Sequence, residues 1–420
     1  MADTQPGNLR IDGERLWTSL MASAEIGPGK AGGLCRLAAS DADKAMRDLF
    51  RQWCEAAGLT VTIDRLGNMF ARRAGRDNDL APVTMGSHLD TQYAGGRFDG
   101  ILGVLSGLEV IRTLNDHSVE TVRPLEVINW TNEEGCRFAP PMASAGAFAG
   151  VYSEDFVATR ADDDGLLQGA ELERIGYRGP APVGGRTLDA YFELHIEQGP
   201  ILDAEAIPVG IVTGGYKSFG AHVDVHGETA HAGPTPMEKR RDALVGAARV
   251  VAAVNDIGWK YQNTLGKTTV TRLVAWPNKP GIISEWAQFS LDCRHPDPAT
   301  AGAMWAEIEA AIPAAAERAR VAMEITTRWE FGNERFDAGL IGLLRGAARD
   351  LGVKSRDLLS QAGHDAYHVS KCAPTAMIFS PCINGITHNE AEDIDLRMTE
   401  PAVNVLLHAV LARANRQVAA

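Results

Sequence analysis

Residues 85–100, MGSHLDTQYAGGRFDG, constrain the fold of this chain more than any other stretch. The apolar run that enters the stretch predicts a strand, and the side-chain period of two places His88 and Asp90 on one strand face. A Gly-Gly turn then brings Asp99 to the start of an apolar helix over 101–114. Zinc prefers imidazole and carboxylate ligands, and a ligand histidine commonly donates its second N–H to a carboxylate. The stretch predicts a metal site, while a solvated loop after a strand is the alternative that it leaves open.

Further candidate ligands follow other predicted strands. Residues 125–130, LEVINW, form the kind of continuous apolar run that is buried in a parallel sheet, and Glu133 and Glu134 come just after it. His195 lies near the end of another apolar run, and His388 follows a third. Open α/β sheets place their chemistry at the carboxyl ends of strands. A lone histidine is usually structural. Several histidines and carboxylates at the carboxyl ends of predicted strands, however, predict one shared site.

These histidines and carboxylates are enough to bind two metal ions. Two ions that share a carboxylate can polarise a carbonyl group and lower the pKa of a water molecule between them. The neighbours Glu133 and Glu134 can divide the remaining work, one as a ligand and one as the general base toward water.

Length and composition narrow the class of protein. A chain of 420 residues predicts two domains, and 45% hydrophobic with 23% charged residues is ordinary for a globular protein. The formal net charge of -13 argues against nucleic acid or an anionic membrane as a partner. The N-terminal stretch MADTQPGNLRIDGERLW lacks the apolar core of a signal peptide, and no apolar run reaches the ~18 residues of a membrane span. Six scattered cysteines without a CxxC pair indicate reduced thiols and a cytoplasmic location.

The order of predicted elements changes near residue 212. Predicted helices span residues 15–24, 40–57, 101–114, 155–175, 237–254, 300–318 and 339–351, with a last one from about residue 400. Predicted strands form a hairpin over 59–73 and single strands over 82–86, 125–130, 191–196, 219–226, 268–276, 284–294, 321–329 and 375–380. The order β-α-β-β-α-β over the middle of the chain is that of a ferredoxin-like sandwich. We therefore expect an α/β domain formed by residues 1–212 and 329–420, with residues 213–328 inserted into it.

Seven motifs carry a family resemblance. They are GSHLDT, GGRFDGILGVLSGLEVI, TNEEGCRF, HIEQGP, AHAGPTPMEKRRDAL, GHDA and NGITHNEAE. Together they resemble the dinuclear-metal amidohydrolases related to aminoacylases, in the branch of N-carbamoyl-L-amino acid hydrolases, β-ureidopropionases and allantoate amidohydrolases. The resemblance covers essentially the whole chain. It implies a zinc-exopeptidase-like catalytic domain with a mixed central sheet, and an inserted ferredoxin-like α+β domain that serves as lid and dimerisation domain.

The resemblance also implies a ligand set for two metal ions. His88 and His195 would hold one ion, Glu134 and His388 would hold the other, and Asp99 would bridge them.

Catalytic and substrate-binding roles are implied for five more residues. Glu133 would be the catalytic base and Asp90 would orient a ligand, while Gln198, His231 and Arg294 would bind substrate. His231 would reach the active site of the partner subunit in a homodimer. The residues alone support Arg294 less strongly, because a planar guanidinium suits a carboxylate but also suits an exposed surface.

Two departures from the family pattern concern the substrate pocket. Family members usually carry an asparagine at the position of Gly281, where it helps Arg294 to bind the substrate carboxylate. Residues 216–220, YKSFG, replace a common QGxxW pattern, so we expect Tyr216 and Phe219 to shape the pocket for a bulkier or aromatic substrate.

The sequence thus predicts a metal-dependent hydrolase that cleaves a linear amide or ureido C–N bond in a small substrate bearing a carboxylate. An N-carbamoyl-L-amino acid would yield the amino acid, carbon dioxide and ammonia. The alternatives are an allantoate amidohydrolase, an amidase for another N-acyl compound, and a catalytically silent dimeric binding protein. Two divalent ions are expected as cofactors, and Zn2+, Mn2+, Co2+ and Ni2+ all accept these ligands.

Overall fold

The computed structural model describes residues 8–416, so the N-terminal stretch discussed above begins outside the described range. The helices are α1 (Gly13–Ala24), α2 (Asp41–Ala56), α3 (Ile101–Asp116), α4 (Ala143–Phe148), α5 (Glu154–Ala158), α6 (Gln168–Arg174), α7 (Ile201–Glu205), α8 (Ala243–Tyr261), α9 (Pro298–Ala319), α10 (Ala338–Asp350), α11 (Asp365–Val369) and α12 (Leu396–Ala414). The strands are β1 (Thr60–Ile63), β2 (Met69–Arg73), β3 (Val83–His88), β4 (Leu125–Trp130), β5 (Ala190–Ile196), β6 (Val209–Gly215), β7 (Lys217–His226), β8 (Lys267–Trp276), β9 (Trp286–His295), β10 (Ala322–Phe331), β11 (Ser355–Ser360) and β12 (Thr375–Ser380). Among these helices, none is both long enough and apolar enough to cross a bilayer.

The contacts divide the chain into two units, and the first contains the described residues up to Thr213 and from Arg335 onward. Its eight-stranded sheet has the order β1-β2-β4-β3-β5-β12-β6-β11. The four central strands β4, β3, β5 and β12 are parallel, while β2 and β6 run antiparallel to their neighbours in that group. Every residue of the four central strands is buried, which explains their continuous apolar sequences. The mixed central sheet predicted from the sequence is confirmed.

Helix α3 packs closely on this sheet at two positions where its residues, Gly103 and Gly107, lack side chains. A Cβ atom on Gly103 would lie 2.3 Å from the main-chain oxygen of Leu194 in β5. One turn later, a Cβ on Gly107 would lie 3.1 Å from a methyl group of Val127 in β4. The close packing fixes the start of α3, and with it Asp99, above the carboxyl ends of the central strands.

The second unit comprises Gly214–Glu334. It holds a four-stranded antiparallel sheet of order β10-β7-β9-β8, and α8 and α9 pack on one face of it. Its apolar core contains alternate strand residues such as Val223, Phe289 and Leu291 against Val250 and Ile308 of the helices. The predicted β-α-β-β-α-β order is confirmed, and β10 continues to Phe331, beyond the expected boundary at residue 328.

Several elements of the first unit differ from the prediction. Strands β6 and β11 were not predicted, because β6 ends in two glycines and β11 is polar. The segment expected to be one helix over 155–175 forms α5 and α6 instead. Between them, the Asp162 carboxylate accepts the main-chain N–H groups of Asp164 and Leu166 and closes a turn. Helix α12 begins at Leu396 rather than near residue 400, because Asp395 caps it.

Helix α8 starts later than predicted for a similar reason. A short 3-10 turn occupies Met237–Lys239, and the Asp242 carboxylate then accepts the N–H of Val245 as a helix cap.

A buried ion pair connects α2 to the strand that precedes Glu133. Arg47 Nε lies 2.8 Å from Asp43 Oδ2, and both side chains are 0% exposed. The same guanidinium donates to the main-chain oxygen of Gly67 at 2.7 Å and to Thr131 Oγ1 at 3.2 Å. Arg47 therefore connects α2, the β1–β2 turn and the end of β4.

We predict that Arg47→Met lowers the free energy of unfolding by about 3–5 kcal/mol, because Asp43 would remain buried without its cation. Lys44→Met is the matched control: Lys44 pairs with Asp48 four residues away on the same helix, but their side chains are 44% and 52% exposed. The control should cost no more than about 0.5 kcal/mol. Urea unfolding followed by circular dichroism measures both values, and equal losses would contradict the importance of the buried pair.

Candidate metal centre

Two histidines of the central sheet lie beside the Asp99 carboxylate. His88 ends β3 and His195 is the penultimate residue of β5, and these strands are parallel neighbours, so both imidazoles lie at the same sheet edge. Their ring centroids are 5.9 Å apart. Asp99 Oδ1 lies 3.0 Å from His195 Nε2 and 3.9 Å from His88 Nε2. These three buried side chains form the first group that could hold a metal ion.

The second oxygen of Asp99 belongs to another group. Asp99 Oδ2 lies 3.3 Å from His388 Nε2, which in turn lies 3.4 Å from Glu134 Oε2. The side chains of Asp99 and Glu134 are buried, whereas that of His388 is 48% exposed. Asp99 is thus the shared member of two candidate metal groups, and it presents a different oxygen to each.

The distances between donor atoms suit divalent cations. Ligands bound tetrahedrally at about 2.0–2.1 Å from an ion lie roughly 3.3 Å from one another. The separations of 3.0, 3.3 and 3.4 Å around Asp99 are close to this value, and His88 at 3.9 Å is slightly farther. The residues therefore fit the dinuclear ligand set that the sequence predicted.

Main-chain carbonyl groups set the tautomers of the two sheet histidines. His88 Nδ1 lies 2.9 Å from the main-chain oxygen of Asp90, and His195 Nδ1 lies 2.9 Å from that of Ile196. Because a carbonyl oxygen only accepts, each Nδ1 carries the proton and each Nε2 presents its lone pair toward Asp99. A lone pair that faces a carboxylate oxygen requires a cation or a proton between them. Both Nε2 atoms are therefore available to a metal ion beside Asp99.

The electrostatics of the cluster favour positive charge at both positions. Burial alone would raise the pKa of Asp99, but hydrogen bonds with His195 and His388 hold that pKa well below its usual range. Burial opposes the charging of His195, but the hydrogen bond with Asp99 raises its pKa to about 9. Burial likewise opposes charge on His388, but Glu134 and then Asp99 raise its pKa to about 10. Burial raises the pKa of Glu134 to about 8 and lowers that of His88 to about 4. The carboxylates that retain protons on His195 and His388 would also attract metal cations.

Asp90 holds the main chain of the two glutamates in place. Its Oδ1 accepts the N–H of Glu133 and its Oδ2 accepts the N–H of Glu134, both at 3.3 Å. The Asp90 carboxylate was expected to contact the imidazole of a metal ligand. Instead, the His88 imidazole bonds to the main-chain oxygen of Asp90, and the Asp90 carboxylate binds the two glutamate N–H groups. Burial, followed by the charge of Asp43, raises the pKa of Asp90 to about 7.

Glu133 faces the first metal group. Its Oε2 lies 3.6 Å from His88 Nε2, and the residue is 7% exposed. Burial raises the pKa of Glu133 well above its usual range, and the carboxylates of Asp365, Glu134 and Asp90 raise it further. A carboxyl group that gains protons readily beside a candidate metal position suits proton transfer.

Gln198 contacts the bridging carboxylate. Its Nε2 donates to Asp99 Oδ2 at 2.9 Å, whereas its buried Oε1 has no hydrogen-bond partner among the described residues. The sequence analysis predicted that Gln198 binds substrate. In the structure its Nε2 orients Asp99, and its Oε1 can accept a hydrogen bond from an N–H group.

Two supporting residues were not predicted. Glu392 Oε1 accepts the N–H groups of Phe98 and Asp99 at 2.9 and 3.0 Å, and its Oε2 accepts from Thr387 Oγ1 at 2.9 Å. Thr387 also lies 3.0 Å from Asp99 Oδ2. Both residues lie in the motif NGITHNEAE together with His388, and this shared motif is the signal that could have indicated them.

A third group of potential ligands consists of Glu193, His195 and His364. Glu193 already accepts hydrogen bonds from Ser87, Tyr191 and Ala366. His364 Nε2 lies 3.0 Å from Ser360 Oγ, and its ring lies 4.5 Å from that of His195. Since the protein satisfies these groups and His195 belongs to the first group, we interpret the third as support for His195.

The other predicted substrate-binding residues belong to the second unit. Tyr216 is buried beside the start of β7, and His231 is exposed in the turn after that strand. Arg294 lies near the end of β9, where its Nε and Nη2 bind the Asp292 carboxylate at 2.8 and 2.9 Å.

Gly281 lies beside His231 and far from Arg294 within one chain. The Ala232 N–H donates to the main-chain oxygen of Gly281 at 2.9 Å, in the loop that enters β9 at Trp286. Arg294 is eight residues farther along the extended strand, a span of about 26 Å. The φ angle of Gly281 is +87°, a conformation that suits glycine, although the space around its Cβ position is open.

Comparisons with known proteins agree with this geometry. Residues 84–412 match the model of peptidase family M20/M25/M40. The chain is 46% identical over 411 residues to an N-carbamoyl-L-amino-acid amidohydrolase of Rhizobium meliloti, covering 97% of this chain and 98% of that protein. It is 29% identical over 389 residues to the allantoate amidohydrolase of Escherichia coli, covering 91% and 93%.

A solved structure of a related amidase has the same fold as this chain. An amidase of the hydantoinase/carbamoylase family from Burkholderia vietnamiensis superimposes with a TM-score of 0.95 and 50% identity, covering 98% of this chain and all of that chain. This chain belongs to peptidase family M20/M25/M40, in its branch of N-carbamoyl-L-amino acid and allantoate amidohydrolases.

Proposed function

We propose that this chain is a homodimeric N-carbamoyl-L-amino acid amidohydrolase that requires two divalent cations. The observation that carries the proposal is Asp99, whose two oxygens face separate imidazole and carboxylate groups with Glu133 beside the first. Relatives named for this activity match almost the full chain, which supports the choice of reaction.

The proposed ligands are His88 and His195 for one ion, Glu134 and His388 for the other, and Asp99 for both. When bound, two divalent cations would polarise the scissile carbonyl group and make water more acidic. Zinc is the first choice, and manganese, cobalt or nickel would accept the same ligands.

Glu133 acts as the general base in this proposal. It takes a proton from the attacking water, whose oxygen forms a bond to the carbamoyl carbon. Glu133 then delivers that proton to the amino-acid nitrogen as the C–N bond breaks. The remaining carbamic acid decomposes to carbon dioxide and ammonia. Asp90 holds Glu133 through the main chain, and the free Oε1 of Gln198 is available to accept a substrate N–H.

The second unit contributes substrate contacts in this proposal. Arg294 binds the substrate carboxylate and Tyr216 shapes the pocket. If the residue at position 281 also acts on that carboxylate, as in the family, it must come from the partner subunit. In one chain, Gly281 lies in the loop before β9 and Arg294 lies near the far end of that strand. The same reasoning supports His231, the neighbour of Gly281, as a residue that acts across a dimer.

Two alternatives remain within this branch, an allantoate amidohydrolase and an amidase for another N-acyl compound. The allantoate alternative is supported by the 29% identity to the allantoate amidohydrolase of Escherichia coli. A catalytically silent binding protein is disfavoured by the intact base and ligand set, since loss of either would be expected first. The six cysteines are free thiols, which supports the proposed cytoplasmic location.

The proposal is tested by incubating the metal-loaded enzyme with N-carbamoyl amino acids, allantoate and N-acyl amino acids. We expect the highest kcat/KM for an N-carbamoyl-L-amino acid, loss of activity on chelation, and recovery on adding back a divalent metal. A preference for allantoate or an N-acyl compound would support the corresponding alternative. Inactivity toward the whole panel would contradict the proposed amidohydrolase activity.

We predict that Glu133→Gln lowers kcat by about 100-fold or more while both metals stay bound, because the amide keeps its shape but takes no proton. Glu197→Gln is the control: Glu197 is also buried at the end of β5, but it accepts the N–H groups of Ile201 and Leu202. His195→Ala should lose metal as well as activity. Kinetics and elemental analysis measure these effects. Near-normal turnover in Glu133→Gln would remove its role as base, and full metal content in His195→Ala would remove that ligand.

We further predict that inactive Glu133→Gln chains and inactive His231→Ala chains restore part of the activity when mixed. In a mixed dimer, one active site would combine an intact Glu133 with an intact His231 from the other chain. Subunit exchange is verified by mass spectrometry of differently tagged chains. With exchange demonstrated, an absence of recovered activity would exclude the cross-subunit role of His231.

A further inference from the structure

Different kinds of structure hold the two candidate metal groups. In the first group, His88 and His195 belong to neighbouring strands of the central sheet. In the second group, His388 lies on the segment 386–395, all of whose residues are described and none of which is in a helix or strand. The φ angle of His388 is +49°, in the left-handed region that is uncommon for residues other than glycine. Because this conformation is costly, the surrounding contacts must hold His388 in it.

Glu390 provides one of these contacts, because its carboxylate binds a loop near the start of the chain. This loop, residues 27–34 with the sequence GPGKAGGL, lies between α1 and α2, and we call it the glycine loop. Glu390 Oε2 accepts the N–H of Gly33 at 3.2 Å and also the N–H of Ala31.

The main-chain N–H groups of the glycine loop form a small anion-binding nest around Glu390. The hydrogen bond from Ala31 has the largest effect on the pKa of Glu390 and lowers it. Burial opposes this effect, while the hydrogen bonds from Gly33 and Lys30 lower the pKa further. Glu390 is therefore bound as an anion by successive N–H groups, as in other nests of this kind.

The glycine loop also binds the segment that leads to Asp99. Leu34 and Gly95 exchange two main-chain hydrogen bonds of 2.9 Å each. Gly33 lies between Gly95 and Glu390, since a Cβ atom on Gly33 would be 2.3 Å from the main-chain oxygen of Gly95 and 2.5 Å from Glu390 Cα. Only a residue without a side chain allows this approach. The glycine loop therefore connects the segment of Glu390 to the segment of Asp99.

The residue on the other side of His388 is fixed as well. Thr387 Oγ1 donates to Asp99 Oδ2 at 3.0 Å. The main chain of His388 thus lies between Thr387, which binds the bridging carboxylate, and Glu390, which binds the glycine loop.

We propose that Glu390 is a positioning residue for His388, and that the glycine loop thereby determines how tightly the second metal group binds its ion. The second group comprises Asp99, Glu134 and His388. This inference rests on the proposed function, which requires two ions. Glu390 acts through the main chain of His388 and touches neither ion nor substrate. The first group is held by the central sheet and should not depend on Glu390.

The test measures zinc binding to the metal-free enzyme by competition with a zinc-chelating indicator, and His388→Ala identifies the binding step of the second group. In Glu390→Ala we expect the affinity of the second group to fall about 10- to 100-fold, while that of the first changes less than about threefold. Glu390→Gln keeps an oxygen that can accept the same N–H groups, so it should bind both ions within about threefold of the wild type.

Asp337→Ala is the matched control. The Asp337 carboxylate also accepts a main-chain N–H, that of Leu340 at the start of α10. Asp337 itself donates its main-chain N–H to Thr375, the first residue of β12, whereas the metal groups lie at the carboxyl ends of the central strands. The control should change both zinc affinities less than about twofold.

Each outcome decides the proposal. A loss confined to the second group in Glu390→Ala, and absent from Glu390→Gln, supports it. An equal loss in both variants would show that Glu390 acts through its charge and not by positioning. That result, unchanged zinc binding in Glu390→Ala, or an equal loss of both ions in that variant would overturn the inference and leave the proposed function intact. A wild-type enzyme that binds one zinc ion or none would overturn the two-metal proposal and this inference with it.

Discussion

The buried carboxylate of Asp99 is the interaction on which the site depends. One oxygen faces His195 from β5 and the other faces His388 from a loop near the end of the chain. His195 and His388, which are 193 positions apart in the sequence (388 − 195), therefore meet at one side chain. Asp99 is held there by its place before α3, which packs closely on the sheet because Gly103 has no side chain. A buried anion of this kind needs compensating positive charge, and two metal cations provide it in the proposed enzyme.

Much of this site was predictable because the chemistry lies where strands end. His88, His195 and Glu133 follow continuous apolar runs, and parallel strands bring their carboxyl ends to one edge. The family resemblance then implied the ligand set, whose members the fold brings together around Asp99. The supporting contacts were not predictable in this way: Glu392 caps the main chain around Asp99 from a distant loop, and only the folded chain brings the two together. Strands β6 and β11 were missed because their sequences are rich in glycine or polar residues.

In the proposed enzyme, the substrate site of one chain would include residues from the partner subunit. Arg294 and Gly281 were expected to act on one carboxylate, yet β9 separates them. A dimer that brings opposite ends of two such sheets to one site would resolve this separation.

The most direct measurement is the number of metal ions bound per chain in the wild type and in Asp99→Asn, by elemental analysis after equilibration with zinc and removal of free metal. We expect two ions per wild-type chain. The variant should hold fewer than one, because the neutral amide bridges poorly and leaves each group with two ligands. Two ions retained by Asp99→Asn, or a single ion in the wild type, would contradict a centre built on a shared carboxylate.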